Sequence, residues 1–84
     1  MNTGTNYFEL SKAKNYQKII DDLLPVAEGD GSISGANLSY LLDALNKMKR
    51  YDDAVSIGKK HFAEVKNNKY ALNSLCFGVY MSRI

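Results

Sequence analysis

Two side chains that could do nucleophilic or metal chemistry occur once each in this sequence, His61 and Cys76. An imidazole beside a thiol makes it a nucleophile, but the pair needs a third group to orient the base. Nothing in the sequence sets an acid beside either residue. A tetrahedral metal site would need more histidine and cysteine ligands than the chain holds. Cys76, between Leu75 and Phe77, therefore reads as a small core residue. His61 follows Ile57 by one helical turn and reads as a partly buried, hydrogen-bonded packing residue. Carboxylates stand side by side at Asp21-Asp22 and at Asp52-Asp53. General acid–base work needs two carboxyls in unlike environments, and these pairs look like solvated helix positions.

The stretch Asp30-Gly-Ser-Ile-Ser34 is similar to the middle of an EF-hand calcium loop, with glycine at the sharp turn and isoleucine two residues on. Such a loop needs an aspartate at its first position and a bidentate glutamate at its twelfth. Aligned on Gly31 and Ile33, those places hold Val26 and Asn37. Without both carboxylates a hard cation has too few anionic oxygens to offset its dehydration, so the segment reads as a glycine-rich turn. It also lacks the lysine and hydroxyl of a phosphate-cradling loop. No catalytic residue, metal ligand or cofactor is assigned, and the chain is expected not to be an enzyme.

What could position these residues is set by the rest of the chain. Eighty-four residues make a single domain, 1–84, near the lower end of what one hydrophobic core can stabilise without staples. An apolar fraction of 45% with 24% charged residues argues against disorder. A single cysteine excludes an internal disulfide and fits a reducing, cytoplasmic setting. The first residues lack the basic-then-apolar pattern of a signal peptide. The longest uncharged run, Tyr70 to Ser82, is too short to span a bilayer, so no membrane role is expected. A net charge of +2 is milder than that of a typical nucleic-acid-binding domain.

Pro25 is the only proline, apolar residues recur at helical spacings, and no alternating β-branched run argues for a strand. The glycine-rich segment Glu28 to Gly35 separates two helices, the second capped by Ser34 or Asn37. The informative feature is a repeat. Leu10-Ser-Lys-Ala-Lys-Asn-Tyr16 returns 35 residues later as Leu45-Asn-Lys-Met-Lys-Arg-Tyr51. Leu72, Leu75 and Val79 echo Leu38, Leu41 and Leu45 at a spacing of 34. Five helices follow, at about 4–13, 16–28, 36–48, 52–66 and 69–82, making hairpins of about 4–28 and 36–66 and a lone last helix. Leu38, Leu41, Leu42 and Leu45 form one apolar stripe. Asp52 and Asp53 suit the positive end of the fourth helix. Ala54 and Gly58, four apart, would let the two helices of a hairpin approach closely.

Periods near 34 or 35 are those of helical-hairpin solenoids. The segment Leu41-Leu-Asp-Ala-Leu-Asn-Lys-Met-Lys-Arg-Tyr-Asp-Asp-Ala54 resembles the core of a tetratricopeptide repeat, and the related pentatricopeptide repeat almost equally. The glycine usual in the turn is Lys49 here. The resemblance covers residues 36–62 best, 5–28 in part, and only a first helix beyond 69. It implies an all-α, right-handed stack of antiparallel hairpins, an α-solenoid, whose first helices line a groove for a protein or peptide. Ser39, Asp43, Asn46 and Lys47 would face that groove from the third helix, and Tyr70, Asn73, Phe77 and Tyr80 from the fifth.

The fifth helix is uncharged between Lys69 and Arg83 and apolar around most of its circumference, so it is expected to be buried on several sides. A neighbour on one side leaves the rest for a second copy of the chain, giving a homodimer, or for another protein. An alternative partner is RNA or single-stranded DNA. Lys12 and Lys14 occupy places equivalent to Lys47 and Lys49, so the four could form a basic ridge along the hairpin turns. Acidic neighbours, among them Asp43, Asp52 and Asp53, weaken that ridge.

Overall fold

The structure is a computed structural model describing residues 7–29 and 33–83. Six helices make up the described residues: α1 (Tyr7–Lys12), α2 (Tyr16–Glu28), α3 (Gly35–Lys47), α4 (Tyr51–Lys60), α5 (Phe62–Val65) and α6 (Lys69–Ser82). No strand occurs among those residues. The start of the helix expected at residue 4 and the centre of the glycine-rich turn, 30–32, lie outside them.

Local chemistry fixes most boundaries. Ser34 caps α3, its hydroxyl accepting from the Asn37 amide at 3.2 Å. Asn68 caps α6, its carboxamide oxygen accepting from the amides of Tyr70 and Ala71. Helices α1 and α3 end in the same device. At the first turn the amide of Asn15 donates to the Leu10 carbonyl and that of Lys14 to the Ser11 carbonyl. At the second, Arg50 donates to Leu45 and Lys49 to Asn46. This double pattern is the Schellman motif, which needs a left-handed residue just past the helix. Lys14 and Lys49 take that conformation, with φ of 62° and 63°. Two of the four residues shared by the sequence repeat, the leucine whose carbonyl accepts and the lysine in the left-handed position, help to build this turn.

The expected single helix over 52–66 is broken in two at His61, where φ is −110°. There the chain is fastened to the end of α2. His61 donates from Nε2 to the Ala27 carbonyl at 2.7 Å, and Lys60 Nζ donates to the Glu28 carbonyl at 2.6 Å. Carbonyls of a last helical turn have no partner within their own helix, so α2 gains two acceptor contacts. Beyond the break, Val65 is fully buried.

The apolar stripe of α3 forms the centre of the core: Leu38, Leu41, Leu42 and Leu45 are fully buried, with Ile19, Ile20 and Leu23 of α2 beside them. Each such side chain contributes about 1.5–3 kcal/mol on burial. Helix α3 packs against all five others. Helix α1 lies on α2 and α3, and α6 lies on α3, α4 and α5. Helix α2 packs against α1 and α3, and α4 against α3 and α6.

Small residues set the distance between α4 and α6. A Cβ on Gly58 would fall 2.5 Å from Leu75 Cδ1. One on Gly78 would fall 3.4 Å from the Ala54 Cβ and 3.1 Å from Asn46 Oδ1. This corrects the expectation that Ala54 and Gly58 bring together the two helices of one hairpin. They admit α6, the next helix along.

Candidate partner-binding groove

Helix α6 turns two different faces outward and inward. Ala71, Leu75 and Gly78 are buried against the core. Tyr70, Asn73, Ser74 and Phe77, at i, i+3, i+4 and i+7, share a flank of the helix beside that face. That side meets α3 and α1 in two adjoining hollows. The first, about 410 Å³, is lined by Asp43, Asn46 and Lys47 of α3, Lys49 and Tyr51 at the turn, and Asn73, Ser74 and Phe77 of α6. The second, about 510 Å³, is lined by Phe8 and Ser11 of α1, Ser39, Tyr40 and Asp43 of α3, and Tyr70, Asn73 and Ser74 of α6. Both volumes fall in the range of ligand sites. Asp43, Asn73 and Ser74 belong to both, so the hollows form one groove.

Seven of the eight residues expected to face a partner line this groove. Tyr80 lines neither hollow, although it is 65% exposed. Asn46 reaches the groove but does not project into it as expected. It is only 6% exposed, and its Nδ2 donates to the Ser74 carbonyl at 2.8 Å. Its Oδ1 is buried without a hydrogen-bond partner and faces Gly78, where a Cβ would lie 3.1 Å away. An amide bonded to the neighbouring backbone is held by the interface between α3 and α6, not offered to a ligand.

Phe8 and Ser11 were missed by the sequence reading, and the signal for them was present. Shifted by the 35-residue repeat, they occupy the places of Asp43 and Asn46. Applying the groove positions of the third helix to the first would have found both. Tyr51 was missed because it opens the second helix of a hairpin; it reaches the groove by meeting Phe77 edge to face, with centroids 6.2 Å apart and planes at 70°.

Charge in the groove is unevenly placed. Lys47 Nζ donates to Asp43 Oδ1 at 3.0 Å, an exposed i, i+4 pair of small energetic worth. That hydrogen bond, and more weakly the charges of Asp43 and Tyr16, hold the Lys47 ammonium above its ordinary 10.5, against the opposing effect of partial burial. Lys49 makes no ion pair among the described residues. Lys12 lies over the Phe8 ring at 5.9 Å and Lys69 over the Tyr70 ring at 5.3 Å. Of the four lysines in the proposed ridge, Lys47 and Lys49 line the first hollow, whereas Lys12 and Lys14 line neither.

The other chemistry-bearing residues stand apart from the groove. Cys76 is exposed, which corrects its assignment to the core. The inner face of α6 is taken by Ala71, Leu75 and Gly78, one to two residues out of phase with it. His61 is half-buried and bonded to Ala27, and no hydrogen bond joins it to Cys76 among the described residues. No three side chains of His, Cys, Asp or Glu gather in a metal-holding arrangement among them. Among the described residues no helix is long and apolar enough to cross a membrane. The residues weighed for calcium include 30–32, which lie outside the described residues. Comparison of the chain with protein-family models, curated proteins and solved structures gives no match.

Proposed function

We propose that this chain is a non-enzymatic interaction module, a tetratricopeptide-like stack of helical hairpins that holds a protein partner across α1, α3 and α6. The observation that carries the reading is the continuous groove edged by aromatic rings that the core does not need. Tyr70 is 65% exposed and Phe77 49% exposed. Aromatic side chains combine large apolar area with few rotatable bonds, which suits them to contact surfaces. A second copy meeting the same side of α6 is one form such association could take.

The test compares the native chain with a Tyr70→Ser/Phe77→Ser variant by light scattering and apolar-dye fluorescence. The native chain is expected to bind dye or to associate as concentration rises. The variant is expected to keep its helical circular dichroism and lose that behaviour. A native chain that stays monomeric at high concentration and binds no dye overturns the reading. Nucleic-acid binding along Lys12, Lys14, Lys47 and Lys49 is the competing function. It would show as a salt-dependent gel shift abolished when all four become Ser.

A further inference from the structure

We infer that the second hollow is a site for a small organic cation, a free quaternary ammonium solute of the choline type, distinct from any protein held along the groove. Three aromatic rings line it, one from each helix: Phe8 of α1, Tyr40 of α3 and Tyr70 of α6. Tyr40 is half-buried and packed against the core, whereas Phe8 and Tyr70 are exposed. Among the described residues no two of these rings stack or meet edge to face, so none covers another. The electron-rich face of such a ring attracts a cation within about 6 Å of its centroid. Two of the three already do this with the chain's own ammonium groups, Lys12 at 5.9 Å from Phe8 and Lys69 at 5.3 Å from Tyr70. Both lysines are exposed and neither lines the hollow, so each can swing into water when a cation enters.

Charge selects the sign. Asp43 is the only charged residue lining this hollow, and Lys47, which holds its Oδ1, lines the first hollow alone. An anion would face that carboxylate with no cation among the lining residues. The positive ends of α3 and α6 are already answered, since Ser34 and Asn68 accept from their first-turn amides. One carboxylate is too few for a hard metal ion, which needs several oxygen ligands. A primary ammonium would give up strong hydration to enter. A quaternary nitrogen carries no N–H to leave unpaired, and its methyl groups suit aromatic walls. At about 510 Å³ the hollow is of a size for a small ligand.

The experiment titrates the full chain at constant ionic strength with choline and with its uncharged isostere, dimethylbutanol, in which carbon replaces the nitrogen. Amide chemical shifts report the site. Saturable shifts are expected at Phe8, Ser11, Tyr40, Asp43 and Tyr70, with choline bound about tenfold more tightly than the isostere. Tyr70→Leu keeps an apolar side chain and a good helix former but removes the ring. It should weaken choline about threefold to tenfold and leave the isostere within about twofold. Asp43→Asn should weaken choline about twofold to fivefold, and less as salt rises. Equal binding of choline and isostere overturns the inference, as do shifts that never saturate or that fall elsewhere on the chain. Sedimentation with phosphatidylcholine vesicles, or a trimethyl-lysine peptide bound over tenfold more tightly than choline, would assign the ammonium group to a larger molecule and overturn the free solute. None of these outcomes decides the protein-docking reading, which stands or falls on association and dye binding.

Discussion

Helices α3 and α6 occupy corresponding places 34 residues apart, and they distribute their apolar side chains in opposite ways. In α3 the four leucines point inward and are fully buried, while Ser39, Asp43 and Lys47 take outer positions. In α6 the inner face is Ala71, Leu75 and Gly78, and the rings of Tyr70, Phe77 and Tyr80 stay exposed. The cause is what surrounds each helix. Helix α3 has all five others against it, and a wide stripe of large side chains fills the space between them. Helix α4 comes so close to α6 that a Cβ on Gly58 would strike Leu75. Small residues, Gly58 on α4 and Ala71 and Gly78 on α6, therefore leave room for Leu75 as the one large side chain on the inner face, and the exposed rings of α6 lie outside the core. Their exposure is a property of the surface, which is why the groove can be read as a contact site.

The largest expected effect tests that contrast head-on. Leu41→Ala should lower the free energy of unfolding by about 2.5–4 kcal/mol, the usual penalty for emptying a fully buried leucine site. For a domain this small that is much of its total stability. Phe77→Ala, which gives up only a partly exposed ring and its contact with Tyr51, should cost less than about 1.5 kcal/mol. Urea denaturation followed by circular dichroism measures both. Equal costs would mean that the rings of α6 belong to the core after all.

The next effect sharpens the role of the small residues. Gly58→Ala should destabilise by about 1–2 kcal/mol, because the displacement of Leu75 outweighs the better helix propensity of alanine. Combined with Leu75→Ala, the same change should cost less than the sum of the two singles, since the new methyl enters space the leucine has left. Additive costs would show that Gly58 is not set by its contact with α6.

How much of this was legible in the sequence depends on how local its cause is. The bounds of α2 and α6 agree with the sequence expectation because capping and turn residues lie within a few positions of each end. The repeated Leu, Lys, Lys and Tyr mark a recurrent turn because a Schellman motif is built from consecutive residues. The break at His61 was not legible, since its bonds reach carbonyls more than thirty residues earlier. Nor was the exposure of Cys76: a helix apolar almost all round carries no stripe to say which face turns inward. Asn46 looked like a groove residue because it is polar. Its burial depends on a Ser74 carbonyl 28 residues away and on a glycine at 78 that leaves room for its oxygen.

The smallest effect concerns how α3 ends, and whether α1 ends for the same reason. A non-glycine residue in the left-handed region costs about 1–2 kcal/mol. Glycine escapes that cost but gives up about 0.5–1 kcal/mol to the greater freedom of the unfolded chain. Lys14→Gly and Lys49→Gly should therefore each stabilise the fold by about 0.5–1 kcal/mol. The two gains should match, because the φ angles differ by only a degree, 62° against 63°. They should also add, because the turns belong to different hairpins. Lys49→Ala is the informative control: it removes the same charge but keeps the strained φ, so it should leave stability within about 0.5 kcal/mol of the native chain. If Lys49→Gly and Lys49→Ala both destabilise by a similar amount, the turn depends on the lysine charge at the negative end of α3, a contribution of about 0.3–1 kcal/mol. A gain at Lys49 without one at Lys14 would mean that the two hairpins share a hydrogen-bond pattern but not the forces that hold it.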